Sequence, residues 1–241
     1  MFKKTVAFIL VAVLAACLVF SADSSAKPEV PQTLKDKFSY AYGIYMLQVA
    51  GENAGYYFTM SQRTTYPELD PYYGYMGMND FVQGKSKFTV NELNSILQEY
   101  FKDYEARMTV LAEANLKAAE EFLAENKTKE GIHVTESGLQ YKILKQGTGE
   151  KATATDTVEL DYELRLLDGT VLDSSYKRGT HQKLSMTQVI AGFKEGVLLM
   201  PMGSHYILYV HPDIGYGSGP SGNIEPNSLL VFEIETYSIV K

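Results

Sequence analysis

Apolar positions recur along this chain with two periods, and the change from one to the other falls near Lys129. Before it the spacing is helical. Thr33-Leu-Lys-Asp36 has the form of a capping box, in which a hydroxyl and a carboxylate satisfy otherwise free backbone N–H groups. Leu34, Phe38, Ala41, Tyr45 and Val49 then follow near a helical period. From Gly51 to Gly84, glycine, tyrosine and methionine crowd together and Pro67 and Pro71 interrupt, so the helical signal weakens. Thr89-Val-Asn-Glu92 forms a second capping box, and no Gly or Pro appears after it until Gly131. That span predicts a helix of about 35 residues, a rod of roughly 50 Å. Phe101, Tyr104, Met108, Leu111, Asn115, Ala119 and Phe122 trace a stripe of mixed quality along it. So long a helix cannot bury its stripe on one short neighbour. It is expected to act as a connector or to pack on a second copy, with its distal half a polar, solvated rod.

After Lys129 the period is two. "GIHVTESGLQYKIL" alternates about a Ser137-Gly138 turn. In "VELDYELRL", Val158, Leu160, Tyr162, Leu164 and Leu166 fall on one side, and Glu159, Asp161, Glu163 and Arg165 on the other. That is a strand with one buried and one wet face. "HYILYV" and "LLVFEIETYSI" add strands, and "QVIAGFKEGVLLM", followed by Pro201, reads as a short helix. The predicted class is α+β: an all-helical N-terminal domain with a long connecting helix, residues 27–126, then an antiparallel sheet wrapped on one short helix, residues 127–241.

Residues 1–26 stand apart. Lys3 and Lys4 precede an apolar run from Val6 to Phe20, too short to span a bilayer comfortably, which reads as a signal peptide. Two exits stay open: cleavage after Ser24-Ser25-Ala26, or a lipobox at Leu14-Ala15-Ala16-Cys17 whose cysteine would carry lipid. Either route takes the chain out of the cytoplasm, and a lipid on Cys17 is the only membrane attachment expected. Cys17 is the single cysteine, so the folded body has neither a disulfide nor a thiolate site. A net charge of −7 argues against a nucleic-acid partner.

Catalytic hardware is scarce. His133, His181, His205 and His211 lack metal-ligand spacing, and no Gly-x-Ser-x-Gly elbow occurs. Gly217 to Gly222 matches Gly-x-Gly-x-x-Gly in letters but runs into Pro226 and a strand, where a phosphate site needs a helix. No metal and no cofactor is expected. What remains is a set of apolar and aromatic residues, Tyr162, Leu172, Val189, Ile190, Phe193, Tyr216, Ile224 and Phe232, which periodicity alone reads as core. Against them stands one carboxylate, Asp173, placed after two apolar residues and followed by two serines in "DGTVLDSS". A carboxylate in apolar surroundings is costly unless it is hydrogen-bonded or paired.

"LDGTVLDSS", "VIAGFKEGVLLMPMGSHYILYVHPDIGYG" and "IEPNSLLVFEIE" resemble, in order and spacing, the FKBP family of peptidyl-prolyl cis–trans isomerases, over about Gly131 to Lys241. "SYAYGIYM", the long helix and "FLAENKTKEGIHVTESGLQYKIL" further resemble its macrophage infectivity potentiator branch. Members of that branch are exported bacterial proteins with an N-terminal helical dimerisation domain; "GYYFTMSQRTTYPELDPYYGYMGM" matches it poorly. The resemblance implies an FKBP-like sheet and an enzyme located in the periplasm or at the outer membrane. It implies proline-containing unfolded or exported polypeptides as substrates, a homodimer through the N-terminal helices, and macrolide-type inhibitors as ligands. It places Tyr162, Asp173, Ile190, Tyr216 and Phe232 at the catalytic centre, the Ile190 N–H bonding a substrate carbonyl. It makes Leu172, Arg178, Val189, Phe193 and Ile224 substrate-binding. Leu172 stands where the family usually has phenylalanine, Gln182 replaces a rim aromatic, the loop at Thr187-Gln188 is short, and the usual histidine after Gly217 is missing.

The chemistry explains the residue types. Rotation about an amide costs about 18–20 kcal/mol because resonance is lost. An Xaa–Pro bond populates both isomers yet interchanges them over tens to hundreds of seconds. No bond is made or broken, so the reaction requires neither nucleophile nor metal. The twisted transition state has less charge separation than the planar amide and favours a dry apolar pocket. The competing expectation is a dimeric holdase chaperone with the same domain as a weak peptide clamp, favoured by the aromatic surface lost at Leu172 and Gln182.

Overall fold

The computed structural model describes residues 27–240; the predicted signal segment and Cys17 lie outside them. The chain divides into two compact units between Arg107 and Met108.

The first unit contains α1 (Leu34–Ala50), α2 (Ala54–Thr64), α3 (Pro71–Val82) and the opening turns of α4 (Val90–Asn126). Both capping boxes form. Thr33 Oγ1 accepts from Asp36 N at 3.1 Å, and Thr89 N donates to Glu92 Oε2 at 2.7 Å. The stretch from Gly51 to Gly84, weak as helix in the sequence, is mostly helical. Pro71 does not break α3; it occupies its first turn, behind Asp70, whose carboxylate caps Tyr72 N at 2.9 Å. The glycines serve packing. A Cβ on Gly43 would lie 2.1 Å from Gly74 O, and one on Gly77 would lie 2.2 Å from Tyr40 O, so α1 and α3 cross backbone to backbone. α1 is consequently buried nearly all round from Phe38 to Leu47, and the simple stripe fails: Tyr45 and Val49 are exposed. Phe38 stacks on Tyr100 at 3.5 Å within an aromatic core.

The second unit is built on a seven-stranded antiparallel sheet. Its strands are β1 (Ile132–Val134), β2 (Gln140–Lys145), β3 (Thr157–Arg165), β4 (Val171–Ser174), β5 (Gln182–Ser185), β6 (His205–Val210) and β7 (Leu230–Val240). The order is β1-β2-β6-β7-β3-β4, with β5 also paired to β3. β4 and β5 therefore share one edge of β3: Leu164 faces Asp173, and Leu160 faces Gln182. Between them the chain leaves the sheet through α5 (Ser175–Arg178), a single turn closed by Gly179 in the left-handed conformation. The short helix α6 (Ala191–Leu199) lies on one face, where a Cβ on Gly196 would come within 2.2 Å of Leu208 Cδ1. That closeness presses Phe193 and Val197 into a core with Val158, Leu160, Leu208, Val210, Phe232 and Ile234.

Two expectations need correction. The distal part of α4 is not a solvated rod. Ala119 and Leu123 pack with Leu229, and Phe122 lies against Tyr209, all on the sheet face opposite α6. The buried Asn126 amide donates to Gln140 Oε1 at 3.0 Å. Nor is the polar side of β3 wholly wet. Asp161 is 6% exposed, because a bulge in β7 adds Tyr237 between the pairs Leu160–Thr236 and Glu159–Ser238 and brings its hydroxyl to Asp161 Oδ2 at 2.8 Å.

Candidate active site

At the open end of α6 lies a cavity of about 260 Å³. Tyr162, Leu164, Asp173, Leu184, Gln188, Val189, Ile190, Phe193, Tyr216 and Phe232 line it. Phe193, almost fully buried, forms the floor and meets its neighbours edge-on: Phe232 at 5.1 Å and Tyr162 at 6.2 Å between ring centroids. Such tilted aromatic contacts fix ring orientation as well as bury area. Ile190 is the N-cap of α6, in extended conformation. Its N–H donates to no backbone acceptor among the described residues, so it remains available at the cavity wall. Tyr216 follows a short 3-10 turn, Pro212–Ile214, and the residue is 44% exposed at the mouth.

One side of the cavity is polar. Tyr162 OH donates to Asp173 Oδ2, Arg178 Nη1 to Asp173 Oδ1, and Ser174 N to Asp173 Oδ1 at 2.8 Å. Arg178 also lies 5.7 Å above the Tyr162 ring and reaches its hydroxyl at 3.3 Å. The single turn of α5 creates this arrangement, folding Arg178 back onto a carboxylate five positions earlier. Burial alone would raise the Asp173 pKa; the hydrogen bonds from Tyr162 and Arg178, with the guanidinium charge, hold it below the ordinary carboxylate value. Burial and the hydrogen bond to Asp173 push the Tyr162 phenol up. At neutral pH the group is thus an ionised carboxylate between a neutral phenol and a guanidinium. It presents little net charge to the cavity.

Seven of the ten residues singled out in the sequence line this one cavity: Tyr162, Asp173, Val189, Ile190, Phe193, Tyr216 and Phe232. Three do not. Leu172 and Ile224 pack against the surrounding core, and Arg178 acts from outside through Asp173. Sequence reasoning missed Leu164, Leu184 and Gln188 as lining residues. Leu164 shares the alternating face of Tyr162, but its spacing is equally that of ordinary core. Gln182 does not line the cavity; its amide donates to Thr180 O at 2.9 Å.

A serine, a histidine and an aspartate do meet behind this wall, but in the wrong order for hydrolysis. Ser175 Oγ and His181 Nδ1 both bond Asp161, at 2.7 Å each, and Ser175 is fully buried. A nucleophile needs its hydroxyl on the imidazole. Among the described residues no group of His, Asp or Glu is placed to hold a metal ion, and no helix is long and apolar enough to cross a membrane.

Comparison with known proteins bears on the family and the fold. A sequence model described as FKBP-type peptidyl-prolyl cis-trans isomerase matches residues 148–237, and one described as the domain amino terminal to that isomerase matches residues 35–143. The second match includes the Gly- and Tyr-rich stretch from Gly51 to Gly84, which resembles the family poorly in its motifs. The outer membrane protein MIP of Legionella longbeachae is 37% identical, the match covering 87% of each chain. The FKBP-type isomerase FkpA of Aeromonas hydrophila is 40% identical over 68% of this chain, which spans 63% of that protein's length. The crystal structure of FkpA from Escherichia coli superposes with a TM-score of 0.58 at 30% identity, covering 67% of this chain and 78% of that one.

Proposed function

The chain belongs to the FKBP-type peptidyl-prolyl cis-trans isomerase family, and we propose that residues 127–241 catalyse the reaction in the cavity above Phe193. The observation that carries the assignment is the character of that cavity: aromatic on floor and wall, with a single carboxylate already neutralised by its neighbours. At about 260 Å³ it is on the small side for a ligand site, the scale of one ring and its flanking peptide.

A prolyl ring seats on Phe193, against Phe232 and Tyr162. The Ile190 N–H and the Tyr216 hydroxyl hold the flanking carbonyls in a turn. Restricting the peptide on both sides converts a free rotation into one already oriented. Water is excluded where the amide twists, and the less polar twisted state is stabilised relative to the planar one. Asp173 takes no proton. Its task is to pin the Tyr162 ring and, through Arg178, the segment that carries both.

Residues 27–126 form the helical domain through which the protein dimerises, and the mature chain acts on exported, proline-containing polypeptides in the periplasm or at the outer membrane. The exposed Tyr45, Val49, Tyr56, Tyr57 and Met60 on α1 and α2 support the dimer. The holdase reading draws on one observation: with Leu172 packed against the core and Gln182 bonded to Thr180, neither position adds an aromatic ring to the rim beside Tyr216.

Cis-to-trans relaxation of a short Xaa–Pro peptide decides between them. Catalysis is expected, and it should fall by roughly tenfold in Phe193→Ala, which removes the floor, and by less in Tyr216→Phe, which removes one donor. A rate equal to the uncatalysed one, with aggregation of an unfolded client still suppressed, establishes the clamp instead.

A further inference from the structure

β3 carries the pocket tyrosine, yet at that residue one of its edges has no strand beside it. β4 pairs as far as Glu163 with Ser174, and β5 begins at Leu160 with Gln182. Asp161 and Tyr162 fall in the gap. A side chain fills it: Tyr162 N donates to Ser175 Oγ at 2.9 Å, and that hydroxyl donates to Asp161 Oδ1 at 2.7 Å. The other carboxylate oxygen receives His181 Nδ1 at 2.7 Å and Tyr237 OH at 2.8 Å. Asp161 therefore binds both ends of the interruption, Ser175 where the chain leaves the edge and His181 where it returns, and ties them to the bulge of β7.

We propose that Asp161, acting through the fully buried Ser175, is a positioning residue for the isomerase site: it fixes from behind the segment that holds Asp173 and Arg178 against Tyr162. The connection is short. Asp173 and Arg178 flank Ser175, and the hydroxyl of Ser175 sits on the backbone N–H of Tyr162 itself. This single turn has no strand partner, and the contacts of Arg178 with Asp173 and Tyr162 are made by a side chain 40% exposed, where such pairs hold weakly; the buried Ser175–Asp161 bond is the anchor beneath them. The sequence marks the device only as a second serine after "LDS" and a lone histidine. The inference rests on the isomerase assignment for its kinetic consequence but not for its structural one.

The test uses Asp161→Asn and Ser175→Ala, with Ser238→Ala as control; Ser238 lies on the same face and bonds Glu159 instead. Two quantities are read: kcat and KM on an Xaa–Pro peptide, and the NMR resonance of Arg178 Nε–H. Both variants are expected to lose about five- to tenfold in kcat/KM, carried by kcat, and to broaden or shift the Arg178 signal, while the control changes neither. Should either buried variant fail to fold, His181→Ala, whose side chain is 56% exposed, gives the milder case, with an expected loss of about twofold and the same movement of Arg178. Unchanged kcat/KM and an unmoved Arg178 signal in a folded variant, even one that melts earlier, would overturn the proposal. A parent protein without isomerase activity would sink the functional assignment alone, and the Arg178 resonance would still decide the positioning.

Discussion

Asp173 separates an electrostatic role from a proton-transfer role. Held ionised by Tyr162 and Arg178, it has no proton to give near neutral pH and little affinity for one. Turnover is therefore expected to be level between about pH 5.5 and 8, outside the reach of a depressed carboxylate. Asp173→Asn should lower that plateau by several-fold without bending it. A steep limb in the parent that disappears in the variant would instead show proton chemistry. The same residues show what can be read in advance. Tyr162, Asp173, Ile190, Phe193, Tyr216 and Phe232 sit in motifs whose order and spacing survive in the sequence, so their convergence was legible. Leu164 and Leu184 were not, because a leucine lining a cavity and a leucine filling a core obey the same alternation. Asp161 was misread for a different reason: its neighbours on the strand say "wet face", and the three groups that cover it all lie outside the strand, Tyr237 76 positions along the chain.

Among the elements, helix ends were easier to foresee than helix neighbours. A capping box is local chemistry, and both form where their sequences stand. The crossing of α1 and α3 is not local. Gly74 and Gly77 look like helix breakers until a second backbone is brought against them. The contact distances then make a prediction: Gly43→Ala and Gly77→Ala each drive a Cβ into a carbonyl oxygen of the facing helix. Neither backbone can yield as a side chain would. Each substitution is expected to destabilise the helical unit by about 1–3 kcal/mol or more, as overpacking does. Gly84→Ala, where the added Cβ meets nothing within 4 Å and φ is +67° at the capped end of α3, should cost less, a matter of backbone strain alone. Urea unfolding, followed by near-ultraviolet signals of the aromatic core, measures the difference. Equal costs at the three positions would mean that the close crossing does not form. The distal half of α4 was misjudged on similar grounds: Ala119 carries little hydrophobic signal in sequence, yet small size lets the helix settle onto the sheet.

For the whole molecule, acid and association both bear on stability. Asp161 has a lower pKa folded than unfolded: burial opposes the shift, but bonds from Ser175, Tyr237 and His181 outweigh it. It contributes stability above its unfolded value of about 3.9 and loses it as pH falls through the lower, folded one. The midpoint of urea unfolding should therefore drop below about pH 4, and Asp161→Asn should flatten that drop. Association is the larger claim. Tyr56 is 64% exposed and Val49 59%, with Tyr57, Tyr45 and Met60 also in water on the first two helices. Scattered apolar residues need no explanation; five on two consecutive helices are a candidate association surface. If a second copy covers it, Val49→Lys with Tyr56→Lys places two like charges on each side of a two-fold contact, where repulsion is doubled by symmetry. Light scattering should then report a dimer for the parent and a monomer for the variant, each with the same turnover on a short peptide, because neither residue touches the cavity. A parent that is monomeric at tens of micromolar, or a variant that stays paired, would assign those side chains to captured client chains and shift the weight toward the holdase reading.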